Sequence, residues 1–142
     1  MPEQNVELVR ALQPQADLVA LFGDDVTADA ARAVASPFFE PDFEIVFIQP
    51  LERSTHRGFD GLRAAWVDWL TPWESYRTEI EDVIDLGDRV AVLTRDFGRR
   101  EGMNREVDFK GVAVYFFNNG KIARVEFHFD RREGLAAIGL AE

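Results

Sequence analysis

No cysteine occurs in the 142-residue chain, which excludes disulfides, thiol nucleophiles and thiolate metal sites. Histidine is almost as scarce. The two present, His56 and His128, lie far apart and lack a His-x-x-x-His or His-x-Asp spacing, so no metal site is expected. Positive charge is also short: 16 Lys and Arg against 26 Asp and Glu leave a net charge of −10. That balance disfavours nucleic acid, whose phosphates need a cationic surface, and anionic lipid. No apolar run approaches the roughly 20 residues that span a bilayer. No glycine-rich phosphate loop appears, because Gly58-Phe-Asp-Gly61 is too short and no Rossmann strand precedes it. The opening Met1-Pro-Glu-Gln-Asn5 is acidic and polar, unlike a secretion signal. The expected location is therefore the cytoplasm.

Aromatic residues are plentiful. With 46% hydrophobic and 12% aromatic content, the chain can bury the core of one domain spanning residues 1–142. Between Gly58 and Trp73 the apolar residues fall at Phe59, Leu62, Trp66, Trp69, Leu70 and Trp73. This is helical spacing with three tryptophans on or near one stripe, and such a helix needs a concave apolar surface to lie against.

The first third reads as short helices. Asn5 is the expected cap of one that ends near Pro14, Asp17–Phe22 forms a second, and Thr27 caps a third running to Ala35, stopped by Ser36-Pro37. Phe43–Ile48 reads as a strand, 50–57 as a polar loop and 58–71 as the tryptophan helix. A meander follows: Tyr76–Asp85, Arg89–Arg99, Val107–Phe117 and Ile122–Phe129, with Asn118-Asn-Gly-Lys121 as a hairpin turn. Arg131–Ile138 closes as a helix, terminated by Gly139. Helices, a strand, a helix and then an antiparallel meander make an α+β fold.

Alternation divides the last strands into faces. Ala123, Val125, Phe127 and Phe129 share one side; Ile122, Arg124, Glu126, His128 and Asp130 share the other. On the preceding strand Val112, Val114 and Phe116 oppose Ala113, Tyr115 and Phe117. A strand apolar on both faces is buried twice. One burial is the monomer core, and a homodimer contact through the sheet face is expected for the other.

The segments Asn5-Val-Glu-Leu-Val-Arg10, Gly58-Phe-Asp-Gly-Leu-Arg63, Asp85-Leu-Gly-Asp-Arg-Val90 and Asn119-Gly-Lys-Ile-Ala-Arg-Val-Glu-Phe-His-Phe-Asp130 carry a resemblance. The chain resembles the cone-shaped fold of nuclear transport factor 2, ketosteroid isomerase and SnoaL-like polyketide cyclases. The resemblance implies N-terminal helices packed on a strongly curved, mostly antiparallel sheet around a deep pocket, with no cofactor. It does not choose a reaction, since the superfamily includes isomerases, cyclases, dehydratases, epoxide hydrolases and non-catalytic binders.

The positions that resemblance implies for ketosteroid isomerase chemistry hold Phe47 and Val112, which cannot move a proton. The paired Arg and Asp of epoxide hydrolases are not matched either, since Phe97 lies two residues from Arg95. The remaining catalytic candidates are His128, a near-neutral base, and Asp130. Each has a plainer alternative: a surface or subunit contact for His128, a helix cap for Asp130. Arg95, Asp108 and Lys110 read as a solvated cross-strand ion pair or as a pocket mouth. Phe47, Trp66, Trp69, Trp73, Val112, Val114, Phe127 and Phe129 are the expected pocket wall. The function expected is binding of a small apolar or aromatic molecule, with proton-transfer chemistry if the protein is an enzyme. The alternatives are a non-catalytic dimeric binding or adaptor module, and a structural dimer whose core is filled.

Overall fold

The computed structural model describes residues 2–13, 17–49 and 51–140. Helix α1 (Pro2–Leu12) contains Asn5 rather than starting at it; the expected end near Pro14 lies outside the described residues. Helix α2 (Leu18–Gly23) is capped by Asp17, whose carboxylate accepts from the Val19 N–H at 2.8 Å. Helix α3 (Asp25–Ala35) is capped by Asp24, not Thr27. The Asp24 carboxylate accepts from the Thr27 N–H at 2.9 Å and from its hydroxyl at 2.6 Å, so Thr27 is the capped residue.

Strand β1 (Phe39–Gln49) turns back into β2 (Glu52–Arg57), which pairs with it antiparallel. The segment expected as a polar loop at 50–57 is therefore largely an edge strand. Its polarity fits that position, since charged edge residues keep a sheet from pairing further. Helix α4 (Gly58–Leu70) follows. Trp73, expected to extend the helical stripe, instead opens β3 (Trp73–Asp85). The meander continues with β4 (Arg89–Arg100), β5 (Val107–Asn118) and β6 (Lys121–His128), and ends in α5 (Arg131–Ala137). Asn119 and Gly120, both at positive φ (52° and 80°), make the tight turn between β5 and β6.

The six strands lie in the order β2-β1-β6-β5-β4-β3, with β1 and β6 parallel and every other neighbour antiparallel. Register shifts in β1, β3 and β6 mark bulges, which bend strands and increase twist. The fold is α+β, as expected, with the N-terminal helices on a curled sheet.

The main core lies between the inner sheet face and the helices. Phe43, Ile45, Phe47, Tyr76, Val90, Val92, Tyr115 and Val125 meet Val9, Leu18, Ala65, Trp66 and Leu70 there. Ile122 belongs to this core as well, not to the face of Arg124. Phe116 pairs with Arg124 but Phe117 pairs with Ile122, so Ala123 is the extra residue that reverses the parity.

The outer face has a second, smaller core. Ala91, Val112 and Val114 are buried there against Ile138 and Leu135. The double burial of β5 that suggested a subunit contact is thus supplied by the chain's own α5. Arg131 fixes the helix start: its Nε donates to the Gly111 carbonyl at 3.0 Å, and its Nη2 to the Thr94 carbonyl at 2.7 Å and to Glu81 at 2.6 Å. Arg95 and Asp108 form a 2.8 Å ion pair, each side chain close to half exposed, a setting in which such pairs contribute about 0–1 kcal/mol.

Gly134 marks how closely α5 sits. A Cβ there would lie 2.9 Å from the Cβ atoms of both His128 and Val112, and those atoms are fixed to strand backbone. Gly134→Ala adds about 1 kcal/mol of helix propensity, but overpacking costs about 1–3 kcal/mol. The expected net result is a lower Tm and a lower urea midpoint. An unchanged or raised midpoint would mean that α5 is not pressed against the sheet.

Candidate active site

A cavity of about 420 Å³ lies between the helices and the inner sheet face, within the ~300–1,000 Å³ range of small-molecule sites. Leu62 and Trp66 of α4 form one wall, Phe127 of β6 and Phe129 just after it face that wall, and Ala28, Ala31 and Ala35 of α3 border the mouth. Helix α3 is held to α4 across that mouth by the Arg32–Asp60 and Arg63–Asp25 ion pairs, at 2.8 and 2.7 Å. None of its residues is buried.

The expected wall residues separate into three groups. Trp66, Phe127 and Phe129 border the cavity; Val112 borders it too, although its side chain packs outward against Gly134 of α5. Phe47, Trp69 and Trp73 stand behind it. Phe47 packs on Trp66, Phe127 and Phe129, Trp69 stacks on Phe129 at 4.2 Å, and Trp73 packs on Tyr76 and Phe109. The Trp73 ring occupies space that Gly98 leaves open, where a Cβ would come within 2.5 Å of it. Val114 is on the opposite face with Ala91 and Ile138. It pairs with Glu126, whereas the inward residue of the next pair is Ala113, opposite Phe127.

Of the two expected catalytic groups, Asp130 does not border the cavity, and His128 borders it while its ring contacts Glu126. The Asp130 carboxylate accepts from the Glu133 N–H at 2.9 Å and caps α5. The His128 ring is 3.2 Å from Glu126 Oε1, and its Cβ packs under Gly134 on the outer face. His128 reaches the cavity wall where Gly111 carries no side chain, since a Cβ on Gly111 would meet the His128 carbonyl oxygen at 2.6 Å. Glu126, Arg124 and Glu44 continue a charged chain on that outer face. The hydrogen bond from His128, with help from Arg124, holds the Glu126 carboxyl down to about 2.

A different carboxylate faces the cavity. Asp96 of β4 borders it and is only 7% exposed. The Tyr76 hydroxyl donates to Asp96 Oδ2 at 2.5 Å and the Thr78 hydroxyl to Oδ1 at 2.6 Å, and the Thr94 hydroxyl lowers the Asp96 pKa from nearby. The register explains the cluster. Thr78 pairs with Asp96, Tyr76 with Gly98 and Ile80 with Thr94, so alternate residues of β3 and β4 share the inner face. Burial raises the Asp96 pKa above the ordinary carboxylate value, and the three hydroxyls oppose that rise. Burial and the adjacent Asp96 charge raise the Tyr76 pKa as well. The buried Trp69 indole N–H lowers it slightly from nearby, without completing a hydrogen bond of ordinary geometry.

Asp96 was the group that sequence reasoning missed. The available signal was the alternation Val90, Val92, Thr94, Asp96 on β4 beside Tyr76, Thr78, Ile80 on β3, which puts polar side chains on a core-facing row.

A helix-covered cavity on a curled six-stranded sheet defines the nuclear transport factor 2-like architecture. The chain belongs to the SnoaL-like domain family, whose pattern matches residues 9–125. No curated protein matches this chain. Solved structures share the fold. A protein assigned as a SnoaL-like polyketide cyclase from Jannaschia sp. CCS1 is 21% identical, covering 98% of this chain and 91% of its own, with a TM-score of 0.68. TerC, co-crystallised with polyporic acid, is 22% identical over 89% and 92%, with a TM-score of 0.64. A nuclear transport factor 2-like protein from Burkholderia pseudomallei K96243 is 21% identical over 95% and 97%, with a TM-score of 0.62.

An aspartate that holds its proton more tightly when folded than when unfolded takes up protons on folding. Its contribution therefore favours the fold at acid pH and is lost as pH rises from the ordinary value of 3.8 through the higher folded value. Asp96→Asn keeps the shape and allows the surrounding hydroxyls to reorient as donors or acceptors. The variant is expected to be more stable than wild type at pH 7–8, by about 0.5–2 kcal/mol, with the difference shrinking toward pH 4. Urea unfolding of both proteins across that range checks it. Subtracting the curves removes the opposite trend from Glu126, whose stabilisation fades between 4.5 and about 2. A difference independent of pH would contradict the placement of Asp96.

Proposed function

We propose that this protein binds a small apolar or aromatic molecule in the cavity and moves a proton on it, with Asp96 as the acid–base group. The observation that carries the reading is a buried carboxylate, held by Tyr76 and Thr78, on the wall of an otherwise largely apolar cavity. Desolvation makes such a carboxylate a stronger base than a solvated one. The substrate class that fits is a ring compound with an acidic C–H beside a carbonyl. Asp96 accepts that proton as the C–H bond breaks, leaving an enolate, and the carboxylic acid formed returns the proton to the same or another carbon. The hydroxyls of Tyr76 and Thr78 hold the carboxylate in position throughout. The step uses only groups of this chain. Similarity to a protein assigned as a polyketide cyclase and to TerC with polyporic acid favours flat, oxygenated ring systems.

The second reading, a binding module without turnover, draws on the same hydroxyls. Two hydroxyl donors already engage the Asp96 carboxylate, an arrangement that suits holding a ligand hydroxyl as well as taking a proton. Deuterium exchange separates the two. Aryl ketones, and separately polyporic acid, are incubated with the protein; exchange at carbon is followed by proton NMR in deuterated water, and binding by tryptophan fluorescence. The enzyme reading expects exchange that Asp96→Asn lowers by about 10²–10⁴-fold while binding persists. Binding without exchange by any ketone would leave the module reading. Absence of binding would defeat both.

A further inference from the structure

We infer that the cavity has a second polar anchor, formed by Tyr115 and Gln13 at the end away from Asp96, and that its ligand is elongated with a hydrogen-bonding oxygen at each end. This rests on the reading that the cavity is a ligand site and adds what the ligand must look like. Both Tyr115 and Asp96 border the cavity from the inner sheet face. Asp96 pairs with Phe109 and Val90 with Tyr115, so six residues of strand separate the two ends, about 20 Å of backbone at roughly 3.3 Å per residue. Val125, Ala113 and Phe127 line the wall between them.

Tyr115 is more than nine-tenths buried. Gln13 Nε2 donates to its oxygen at 3.1 Å and to the Val9 carbonyl at 2.8 Å, which fixes the phenol as acceptor toward α1. Among the described residues no group accepts the phenol's own proton. A buried donor left unpaired is costly, and a ligand oxygen would relieve it. Burial raises the Tyr115 pKa, so the hydroxyl keeps that proton. The two ends therefore differ: Asp96 accepts from a ligand hydroxyl, and Tyr115 donates to a ligand carbonyl, ether or phenol oxygen. An anionic ligand group is disfavoured at the Asp96 end by like charge.

The test uses trans-stilbene with hydroxyls at both para positions, at one, or at neither, titrated against tryptophan fluorescence. The doubly hydroxylated compound is expected to bind about fivefold to tenfold tighter than the singly hydroxylated one, the gain of one hydrogen bond. Tyr115→Phe should remove that gain and leave the singly hydroxylated compound unchanged. Gln13→Met, which removes the donor that orients the phenol, should reduce the gain and serves if Tyr115→Phe does not fold. If the gain survives both variants, or if Tyr115→Phe weakens all three compounds alike, the second anchor is wrong while the ligand site stands. If none of the three binds, the ligand-site reading falls and this inference with it.

Discussion

The cavity depends on one contact, the packing of the Trp66 indole into a ring of aromatic side chains. Trp66 meets Phe22 of α2, Phe47 of β1, Tyr76 of β3, Phe127 of β6 and Phe129 just beyond it, at centroid distances from 5.1 to 6.3 Å. Apart from Phe22, which lies parallel, these rings meet Trp66 edge-on or steeply inclined. Edge-to-face packing is favourable for quadrupolar rings and adds about 0.5–1.5 kcal/mol per pair beyond burial. It also sets a spacing. Rings packed edge-on hold α4 away from the strands more than aliphatic side chains would. The helix is fixed to the sheet at Trp66 and Leu70, and the space toward α3 stays open.

Within that apolar setting the Asp96 cluster runs against the hydrophobic preference of its surroundings. A buried carboxylate is costly unless hydrogen bonds compensate it, and here the hydroxyls of Tyr76 and Thr78 on β3 supply the compensation, with Thr94 of β4 adding to it from nearby. The compensation is partial, because burial remains the dominant influence on Asp96. An arrangement that serves stability alone would use an apolar residue at this position. Retained strain of this kind is what binding and catalytic sites typically show.

The sequence showed the architecture better than the site, and the reason lies in what alternation encodes. Period-two patterns identify strands and their two faces, so β3 to β6 and the tryptophan helix were legible. Alternation does not say which face is the cavity, nor where a bulge reverses it. The side chains of Val112 and Val114 were placed on the wrong face for lack of the first piece of information, and Ile122 for lack of the second. The edge strand β2 was hidden because its exposed, polar composition is that of a loop. Asp96 was hidden because its immediate neighbours, Arg95 and Phe97, point outward and drew attention to their own row. Its partners Tyr76 and Thr78 are about twenty positions away in sequence and become neighbours only through the β3–β4 register.

The outer face shows why a two-sided apolar strand cannot by itself predict assembly. Val112, Val114 and Ala91 need cover, and either a second subunit or a helix of the same chain can provide it. Here α5 provides it, held by Arg131 and seated at Gly134. The same helix settles the position of two expected acid–base groups. Asp130 is occupied by capping α5, and His128 lies beneath it with Glu126. The positions at which the ketosteroid isomerase pattern would put acidic groups hold Phe47, packed among rings, and Val112, packed under α5. The buried carboxylate on the cavity wall comes instead from β4, held by hydroxyls of β3. Likeness in overall shape to structures about one-fifth identical cannot reveal that shift, since the fold fixes where a cavity lies and the side chains on particular strands decide what it can do.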